Sequence, residues 1–277
     1  MPEGPEVCNI AKSLNFYLQG KKLISGTLLP TSRYYKHDKF EGMEYLTHGL
    51  TLVKVFSRGK KIIFEFEKNT FMICSLGMEG HWLQIPTKHT ALYLDFGRVE
   101  GKFRIIEKTM YYEDSRHFGT LNVYTCFDKI KIAMKTVGPD LLQDNISIQQ
   151  YTQIIKSKTL SKKELHWFLL EQKYLSGIGN YLKSEILYAS KLAPNRTIQS
   201  LSDEDIFCLY SNSIQIIRKA YECNGLTLGT YVDPDGNIGT YDPMVYQKEI
   251  DPLGNKVVKT QFGGKDRTTH WVPEIQI

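Results

Sequence analysis

The first residues after the initiator methionine, Pro2 and Glu3, are of types that carry out covalent catalysis. Removal of Met1 would give Pro2 a free amine. An α-amino group has a pKa of about 7.7–8.0 against about 10.4 for lysine, so its free-base fraction at neutral pH is roughly a few hundred times larger. A secondary amine condenses with an aldehyde to a cationic iminium, an electron sink, and Glu3 can donate or relay a proton. The alternative is an ordinary frayed terminus, since Pro-Glu-Gly-Pro also favours a turn.

A basic segment, SRGKK at 57–61, lies between two apolar segments. Such a turn can contact phosphates, and Lys60 within it can also present an ammonium group as a proton donor. The alternative is a solvated hairpin tip with no function of its own.

Two glycine-containing turns, LGMEG at 76–80 and DSRHFG at 114–119, carry Met78, Arg116 and Phe118. An apolar side chain, a guanidinium and an aromatic ring are the groups needed to fill a duplex from which a base has been extruded. Each turn taken alone is equally well explained by packing.

Two further segments offer groups that bind phosphate. The segment QKYLSGIGN at 172–180 places glycines between helices, and Asn180 is predicted as the N-cap of the second helix. Backbone N–H groups at a helix N-terminus suit an anion, although a simple helical hairpin is the alternative. Near the C-terminus, a glycine turn precedes Arg267, whose permanent charge suits a phosphate.

The composition is that of a globular protein with a mildly basic balance. The chain has 277 residues, of which 35 are Lys or Arg and 30 are Asp or Glu, so a nucleic-acid partner is allowed but not required. No apolar run is long enough to span a bilayer, and the N-terminus does not resemble a secretory signal. The five scattered cysteines contain no CxxC pair, so we expect reduced thiols, no cofactor and an intracellular location.

The positions of apolar residues predict a helix followed by a β-rich region. Val7, Ile10, Leu14 and Leu18 recur at helical spacing, and Gly20 ends the predicted helix. From about 21 to 126 the period becomes two, which favours a β-sandwich. The predicted strands are 51–56, 61–67, 71–76, 91–96, 102–107 and 120–124.

The second half of the chain has a helical period. We predict helices from Asp128 to Val137, from Ser147, from about 162 to 175, over 181–190 and from Ser202 to 224–225. Residues 225–243 are predicted to be a loop, followed by a hairpin of strands 244–250 and 256–262. The fold class is therefore α+β with two domains. The predicted boundaries are 1–127 for the β-sandwich, 128–225 for the helical domain and 226–277 for the loop and hairpin.

These motifs together resemble the formamidopyrimidine-DNA glycosylase and endonuclease VIII family of base-excision repair enzymes. The opening MPEGPEV, RGK at 58–60, LGMEG, DSRHFG and LLEQKYLSGIGNYLKSEILY at 169–188 match family motifs in the same order. The resemblance covers almost the whole chain. The last motif resembles the family's helix–two-turns–helix element, and its residues are most similar to those of the eukaryotic Nei-like branch.

One departure from the family pattern concerns its C-terminal zinc finger. Val272 and Ile275 stand where the family has the cysteines of its final strand, and the other cysteine pair is replaced near 251–254. The resemblance therefore implies a zincless finger, in which apolar packing takes the place of the metal, with no metal ligands.

The resemblance also implies roles for individual residues. Pro2 would be the Schiff-base nucleophile and Glu3 the acid that assists sugar opening. Lys60 would hold a phosphate and donate a proton during β-elimination, whereas Arg267 would grip flanking phosphates and support δ-elimination. Glu185 matches a family carboxylate near the N-terminal amine. The DNA-contacting positions implied in the same way are Met78, His89, Arg116, Phe118, Gly177 and Asn180.

The resemblance implies a bifunctional DNA glycosylase and abasic-site lyase that removes oxidised pyrimidines and ring-opened purines. We expect a monomer whose partner is damaged double- or single-stranded DNA, with no membrane partner, in a nuclear, viral or cytoplasmic DNA compartment. Residues 226–241 are expected to contact the lesion. A non-catalytic DNA- or RNA-binding protein and an N-terminal-proline tautomerase are the alternatives. The Pro-Glu start argues against the first, and the chain length and finger argue against the second.

Overall fold

The computed structural model describes residues 2–36, 40–46, 49–227, 232–263 and 267–277. These described residues divide into two compact units. The first unit contains Pro2, Glu6–Lys135 and the described part of 227–239, and the second contains Glu3–Pro5, 136–226 and 240–277. The first is rich in β-structure and the second is mainly helical, so the predicted two-domain α+β class is confirmed.

Helix α1, Gly4–Leu18, lies in the first unit from Glu6 onward. The four apolar residues that predicted this helix are buried against the sheets: Val7, Ile10, Leu14 and Leu18. Their spacing of three and four residues places them on one helix face, so burying that face fixes the helix on the sheets. The strands that follow are β1 Lys22–Leu28, β2 Phe40–Glu41, β3 Leu52–Arg58, β4 Lys61–Phe66, β5 Thr70–Ser75, β6 Gly80–Leu83, β7 Thr90–Glu100, β8 Phe103–Asp114 and β9 Thr120–Tyr124.

Among the described residues these strands form two sheets that share one apolar core. One has the order β1-β7-β8-β6 and the other the order β2-β9-β5-β4-β3. The pairings are antiparallel except for the short β2–β9 contact, which is parallel. The prediction of β9 is confirmed residue for residue, whereas β7 and β8 extend well beyond the predicted 91–96 and 102–107. The added end of β7, residues 98–100, is largely exposed, so an alternation of apolar residues does not reveal it. The added part of β8, residues 108–114, instead alternates half-buried with buried residues, among them Met110 and Tyr112.

The second unit contains helices joined by turns. They follow α2, Phe127–Met134, which belongs to the first unit, and are α3 Ile148–Ile155, α4 Leu165–Leu170, α5 Asn180–Ala189 and α6 Asp203–Glu222. Ser147 and Ser202 cap α3 and α6 through capping boxes, as predicted. The helix predicted from Asp128 to Val137 is shorter and begins earlier than expected: α2 runs from Phe127 to Met134, and its N-cap is Cys126, two residues before Asp128.

The helix predicted from about 162 to 175 is also wrong in length. Helix α4 ends at Leu170. Immediately afterwards, the Gln172 side chain donates hydrogen bonds to the carbonyls of Leu170 and Ile178. Local period alone could not show this end, because the residues that follow are also apolar or helix-compatible.

The predicted C-terminal hairpin forms at its turn, where Ile250 and Lys256 make an antiparallel bridge. Strand β10, Val258–Thr260, pairs with β11, Thr269–Trp271, and residues 244–250 are not a strand. The backbone N–H groups of Met244, Val245 and Tyr246 donate to the Glu185 carboxylate instead. Those donors are therefore not available to a β-ladder.

Candidate functional site

The Glu3 side chain lies at the N-terminus of helix α5. Its carboxylate accepts hydrogen bonds from the backbone N–H groups of Gly179 at 2.6 Å, Tyr181 at 2.9 Å and Leu182 at 3.2 Å. Glu3 is buried, and the positive end of a helix stabilises a carboxylate there. The N-cap position belongs to Gly179, so the prediction of Asn180 as the cap is wrong. A side chain from the other end of the chain supplies the acceptor that a capping residue would otherwise supply.

Glycines allow the N-terminal segment to approach this turn. A Cβ atom added to Gly179 would lie 2.3 Å from the Glu3 Cδ atom, so any larger residue would displace the carboxylate. The Gly4 N–H donates to the Gly177 carbonyl at 2.8 Å, and the φ of Gly177 is +95°, a conformation that favours glycine. The glycine spacing thus serves the docking of Glu3 and Gly4.

The turn itself is held by Gln172. Its side-chain N–H group donates to the carbonyls of Leu170 at 2.9 Å and Ile178 at 2.8 Å, and its side-chain oxygen accepts from the Gly177 N–H at 3.0 Å. The N–H groups of Gly177 and Gly179, predicted to face a phosphate, therefore both donate to protein acceptors.

The Asn180 side chain connects helix α5 to the C-terminal hairpin. Its Nδ2 donates to the Thr268 carbonyl oxygen at 2.9 Å, and its Oδ1 accepts from the Lys183 ammonium at 2.8 Å. The Tyr246 hydroxyl also lies near Asn180 and Arg267. Burial is the main reason why the pKa of Tyr246 is raised. Asn180 thus lies close to the segment that carries the exposed Arg267. No motif of the sequence predicts that Lys183 and Tyr246 lie beside Asn180.

Glu185 lies one helical turn further along α5 and is fully buried. Besides the N–H groups of Met244, Val245 and Tyr246, its carboxylate accepts from the Tyr241 hydroxyl at 3.3 Å. Burial raises the pKa of this carboxyl, and the backbone hydrogen bonds oppose that rise. In the second unit, Glu185 therefore shapes the segment that precedes the hairpin. Its proximity to the N-terminal amine stays a prediction.

In the first unit, the turns at 76–80 and 114–119 pack against each other. The buried Asp114 carboxylate accepts from the N–H groups of Arg116 at 3.0 Å and Gly119 at 2.7 Å, and from the Tyr34 hydroxyl at 2.5 Å. The φ of Gly77 is +63°, and a Cβ atom there would lie 2.6 Å from the Phe118 carbonyl carbon. The spacing of the two motifs is therefore explained by one close contact.

This contact places the candidate gap-filling residues on one edge. The Arg116 guanidinium lies 4.9 Å from the centre of the Phe118 ring, and its Nη1 atom is 3.8 Å from the Glu79 carboxylate. Phe118 is 51% exposed, and Met78 is half-buried on the neighbouring turn. The structure therefore brings together Met78, Arg116 and Phe118, although they are up to 40 residues apart in sequence.

The remaining candidates of the first unit lie at turns or at the terminus. Lys60 is half-buried in the turn between β3 and β4, and the Lys61 ammonium that follows it donates to the Ser75 hydroxyl. Burial lowers the pKa of Lys61. His89 is exposed, and its N–H donates to the Thr87 hydroxyl at 3.1 Å. Pro2 is buried.

Part of the expected lesion-side loop, 226–241, can be described, whereas 228–231 lie outside the described residues. In the first unit, the Asp233 carboxylate accepts from the backbone N–H groups of Asp235 and Asn237. This turn presents Asp235, whose carboxylate accepts from the hydroxyls of Ser13 at 3.2 Å and Tyr17 at 2.5 Å. The motifs named above do not predict this contact of Asp235. The turn itself has a sequence signal, the DPDGN segment, because DPLGN at 251–255 has the same pattern and forms the same hydrogen bonds.

The C-terminal hairpin has an apolar core of its own. Val272 is fully buried in a cluster with Tyr188, Val245 and Val257, against which Ile275 packs. Across the part of the chain that the structure describes, no group of three or more His, Cys, Asp or Glu side chains could hold a metal ion. In the same described ranges, no helix is both long and apolar enough to cross a membrane.

Family models match almost the whole chain in three consecutive parts. They are the formamidopyrimidine-DNA glycosylase N-terminal domain over residues 1–121, its H2TH domain over 137–232 and its C-terminal domain over 233–277. The H2TH match includes the turn between α4 and α5, whose N–H groups bind the Glu3 carboxylate and which contains Asn180.

Curated relatives and solved structures agree with these matches. The chain is 26% identical over 290 residues to the formamidopyrimidine-DNA glycosylase of Pediococcus pentosaceus, and 28% identical over 288 residues to that of Ligilactobacillus salivarius. Both alignments cover 100% of this chain and 99% of the relative.

Among solved structures, the chain superposes on the MutM (Fpg) protein of Thermus thermophilus with a TM-score of 0.85 at 28% identity, covering 99% of this chain and 98% of the other. A Lactococcus lactis Fpg mutant in complex with Fapy-dG-containing DNA gives 0.84 at 27% identity, with 99% of each chain covered. The wild-type Lactococcus lactis protein in complex with DNA that contains an oxidised pyrimidine gives 0.82 at 26% identity, with the same coverage.

Proposed function

Because this chain belongs to the formamidopyrimidine-DNA glycosylase family of DNA repair proteins, we propose that it excises oxidised bases and then cleaves the abasic site. The nucleophile is the Pro2 amine after removal of Met1. The observation that carries the proposal is the Glu3 carboxylate, which is held by backbone N–H groups at the N-terminus of α5. This anchor fixes the residue that directly follows the nucleophile.

The chemistry begins after the damaged nucleotide leaves the stack, since its C1′ atom cannot be reached inside a duplex. The Pro2 nitrogen bonds to C1′, the bond between C1′ and the base breaks, and the base leaves with a proton. Glu3 gives a proton to the ring oxygen, so the sugar opens and the nitrogen lone pair forms an iminium with C1′. Each of these groups is a catalytic residue in the proposal.

Strand cleavage follows from the iminium. Loss of a C2′ proton sends electrons toward the cation, and the C3′–O bond breaks with the 3′ phosphate as leaving group. In a second elimination, loss of the C4′ proton sends electrons toward the conjugated cation, and the C5′–O bond breaks with the 5′ phosphate as leaving group. Water then hydrolyses the iminium and releases the Pro2 amine. Lys60 donates a proton during β-elimination, and Arg267 supports the second step by holding the phosphate.

The other candidates bind and shape the DNA. Asn180 and Arg267 lie together in the second unit and contact phosphates near the lesion, and His89 contacts the backbone from an exposed turn. The turn that contains Gly177 supports the position of Asn180. The gap left by the extruded base is filled from the paired turns of the first unit by Met78, Arg116 and Phe118.

The proposed substrates are oxidised pyrimidines and ring-opened purines. Lactococcus lactis structures in the comparison are complexes with DNA that contains Fapy-dG or an oxidised pyrimidine, which supports both classes. The placement in the Nei-like branch and the zincless finger stay predictions, because the relatives named above are formamidopyrimidine-DNA glycosylases.

Borohydride trapping on a duplex with an abasic site tests the proposal. Protein with a free Pro2 should form a covalent complex, and mass analysis should place the cross-link on the N-terminal peptide. A retained Met1 or an N-terminal tag should abolish trapping, since an amide nitrogen cannot form an iminium. The same protein with a C-terminal tag is the control.

The outcomes separate the alternatives. Trapping by the tagged protein, or a cross-link on Lys60, contradicts Pro2 as nucleophile. Duplex binding without trapping or excision over a panel of defined lesions indicates a non-catalytic nucleic-acid-binding protein. Turnover of small keto–enol substrates without either DNA activity indicates a tautomerase.

A further inference from the structure

Lys183 on helix α5 is fully buried. Lysine is among the residues that are least often buried completely, because taking an ammonium group out of water costs several kcal/mol unless polar groups surround it. The chemistry proposed above does not use Lys183. A hydrophobic residue at this position would satisfy the packing of α5 alone, so the burial of a charge here calls for another explanation.

The Lys183 ammonium donates to the Oδ1 atom of Asn180 at 2.8 Å. The two residues are three positions apart on α5, so their side chains lie on neighbouring turns of one helix face. An asparagine amide has one acceptor oxygen and one donor nitrogen. Because the ammonium can only donate, it forces Oδ1 toward itself and leaves Nδ2 on the opposite side.

The Nδ2 atom donates to the Thr268 carbonyl at 2.9 Å, next to Arg267. The donor side of the amide therefore faces the hairpin segment that carries the second phosphate-binding candidate. In the reversed orientation, Oδ1 would face that segment, and two oxygen acceptors would repel each other there. The same repulsion would act between Oδ1 and a phosphate oxygen.

We propose that Lys183 is a positioning residue for DNA backbone binding: it fixes the Asn180 amide with its N–H donors facing the phosphate. This inference rests on the proposed function, in which Asn180 contacts a phosphate. On binding, Nδ2 exchanges the Thr268 carbonyl for a phosphate oxygen, whereas the contact between Lys183 and Oδ1 remains. The buried ammonium also adds positive charge behind the amide, where water does not screen it.

The charge of Lys183 also affects the pKa of a histidine in the C-terminal hairpin. Burial is the main cause of the low pKa of His270, about 4, and the charges of Lys259 and Lys183 lower it further. His270 lies in β11, and its backbone N–H donates to the Ser184 hydroxyl on α5. The ammonium group therefore acts across the contact between helix and hairpin.

The test is equilibrium binding to a duplex that contains a tetrahydrofuran abasic-site analogue. Asn180→Ala should weaken binding about tenfold, the loss expected for a hydrogen bond to a charged group. Lys183→Met should weaken it several-fold, and Lys183→Gln, which keeps a donor without the charge, should recover part of that loss. Lys219→Met is the matched control, since it removes the same charge from an exposed position on α6.

The double variant separates positioning from folding. If Lys183 acts through Asn180, adding Lys183→Met to Asn180→Ala should cause little further loss of affinity. Equal and additive losses in both backgrounds overturn the proposal, as does wild-type affinity of Lys183→Met when Asn180→Ala binds weakly. Wild-type affinity of Asn180→Ala instead contradicts the phosphate role of Asn180 in the proposed function.

A stability cycle keeps the proposal testable if Lys183→Met does not fold. Asn180→Asp retains an acceptor for the ammonium and places a carboxylate beside it. The loss of melting temperature caused by Asn180→Asp should therefore be larger in the Lys183→Gln background than in the wild-type background. An equal loss in both backgrounds shows that the two side chains do not interact, which overturns the inference.

Discussion

The Glu3 carboxylate and the Gly179 backbone N–H lie 2.6 Å apart and join residues separated by 176 positions. The same carboxylate accepts from Tyr181 and Leu182, so it takes the place of a capping side chain for α5. Within the second unit, Glu3 is thereby fixed at the turn that precedes α5. One residue thus has a structural and a proposed catalytic role.

Glu3→Gln should separate the two proposed reactions. Base excision should fall severely, because the acid that opens the sugar is lost, whereas cleavage of a ready-made abasic site should partly survive. Parallel single-turnover assays on a lesion duplex and an abasic duplex measure both. Equal losses in the two assays would contradict the role of Glu3 as the acid for sugar opening.

Gly179→Ala should impair excision without touching a catalytic group. The new Cβ atom would lie 2.3 Å from the Glu3 Cδ atom, so the carboxylate must move away from the helix N-terminus. We expect excision rates to fall at least about tenfold and the melting temperature to drop by several degrees, since a helix cap is worth about 1 kcal/mol. Ser190→Ala at the other end of α5 is the control. Wild-type excision by Gly179→Ala would mean that the position of Glu3 is not critical.

Arg267→Ala should weaken DNA binding and leave stability unchanged. Arg267 is exposed, so its removal leaves no cavity, whereas the loss of one phosphate contact should reduce the slope of log affinity against log salt by about 1. Binding titrations at several salt concentrations and a thermal melt check this. Arg218→Ala, an exposed arginine on α6, should leave both unchanged. A large fall in melting temperature for Arg267→Ala would identify a structural residue.

Prolonged chelation should leave activity intact. Val272 and Ile275 pack in the apolar core of the hairpin, at the positions where thiolate ligands would be needed. Excision and abasic-site cleavage after dialysis against a chelator, together with metal analysis of the purified protein, test this. Stoichiometric zinc whose removal abolishes activity would overturn the prediction.

Stability should depend on pH through His270. Its pKa is lowered to about 4 in the folded protein, mainly by burial, against 6.5 in the unfolded chain. Between these two pH values the unfolded chain binds more protons than the folded protein. The stabilisation of the folded state by neutral His270 is therefore complete above pH 6.5 and is lost as the pH falls toward 4. The loss is at most about 3 kcal/mol in the free energy of unfolding. Denaturant unfolding of wild type and His270→Gln should therefore differ in pH dependence, and identical profiles would contradict the assignment.

Some features followed from the sequence because they depend on near neighbours. The apolar residues of α1 lie three or four positions apart, and the Ser147 and Ser202 caps bond to residues three positions away. The segments 76–80 and 114–119 were likewise predicted to be turns, because turns favour particular residue types such as glycine. In each case the interacting groups are close in sequence, so the pattern of residue types is enough to predict the structure.

Other features were decided only by tertiary structure. The sequence identified Asn180 as a helix cap, but Glu3 arrives from the far end of the chain and takes the N–H groups of that helix. Residues 244–250 have a strand pattern, but the Glu185 carboxylate takes the N–H donors of Met244, Val245 and Tyr246, and β10 pairs with β11. The number of charged residues in the sequence likewise does not predict that Lys183 is buried against Asn180. The physical reason is the same throughout. A hydrogen-bonding group takes the best partner that the folded chain brings within about 3 Å, and distance along the sequence does not enter that choice.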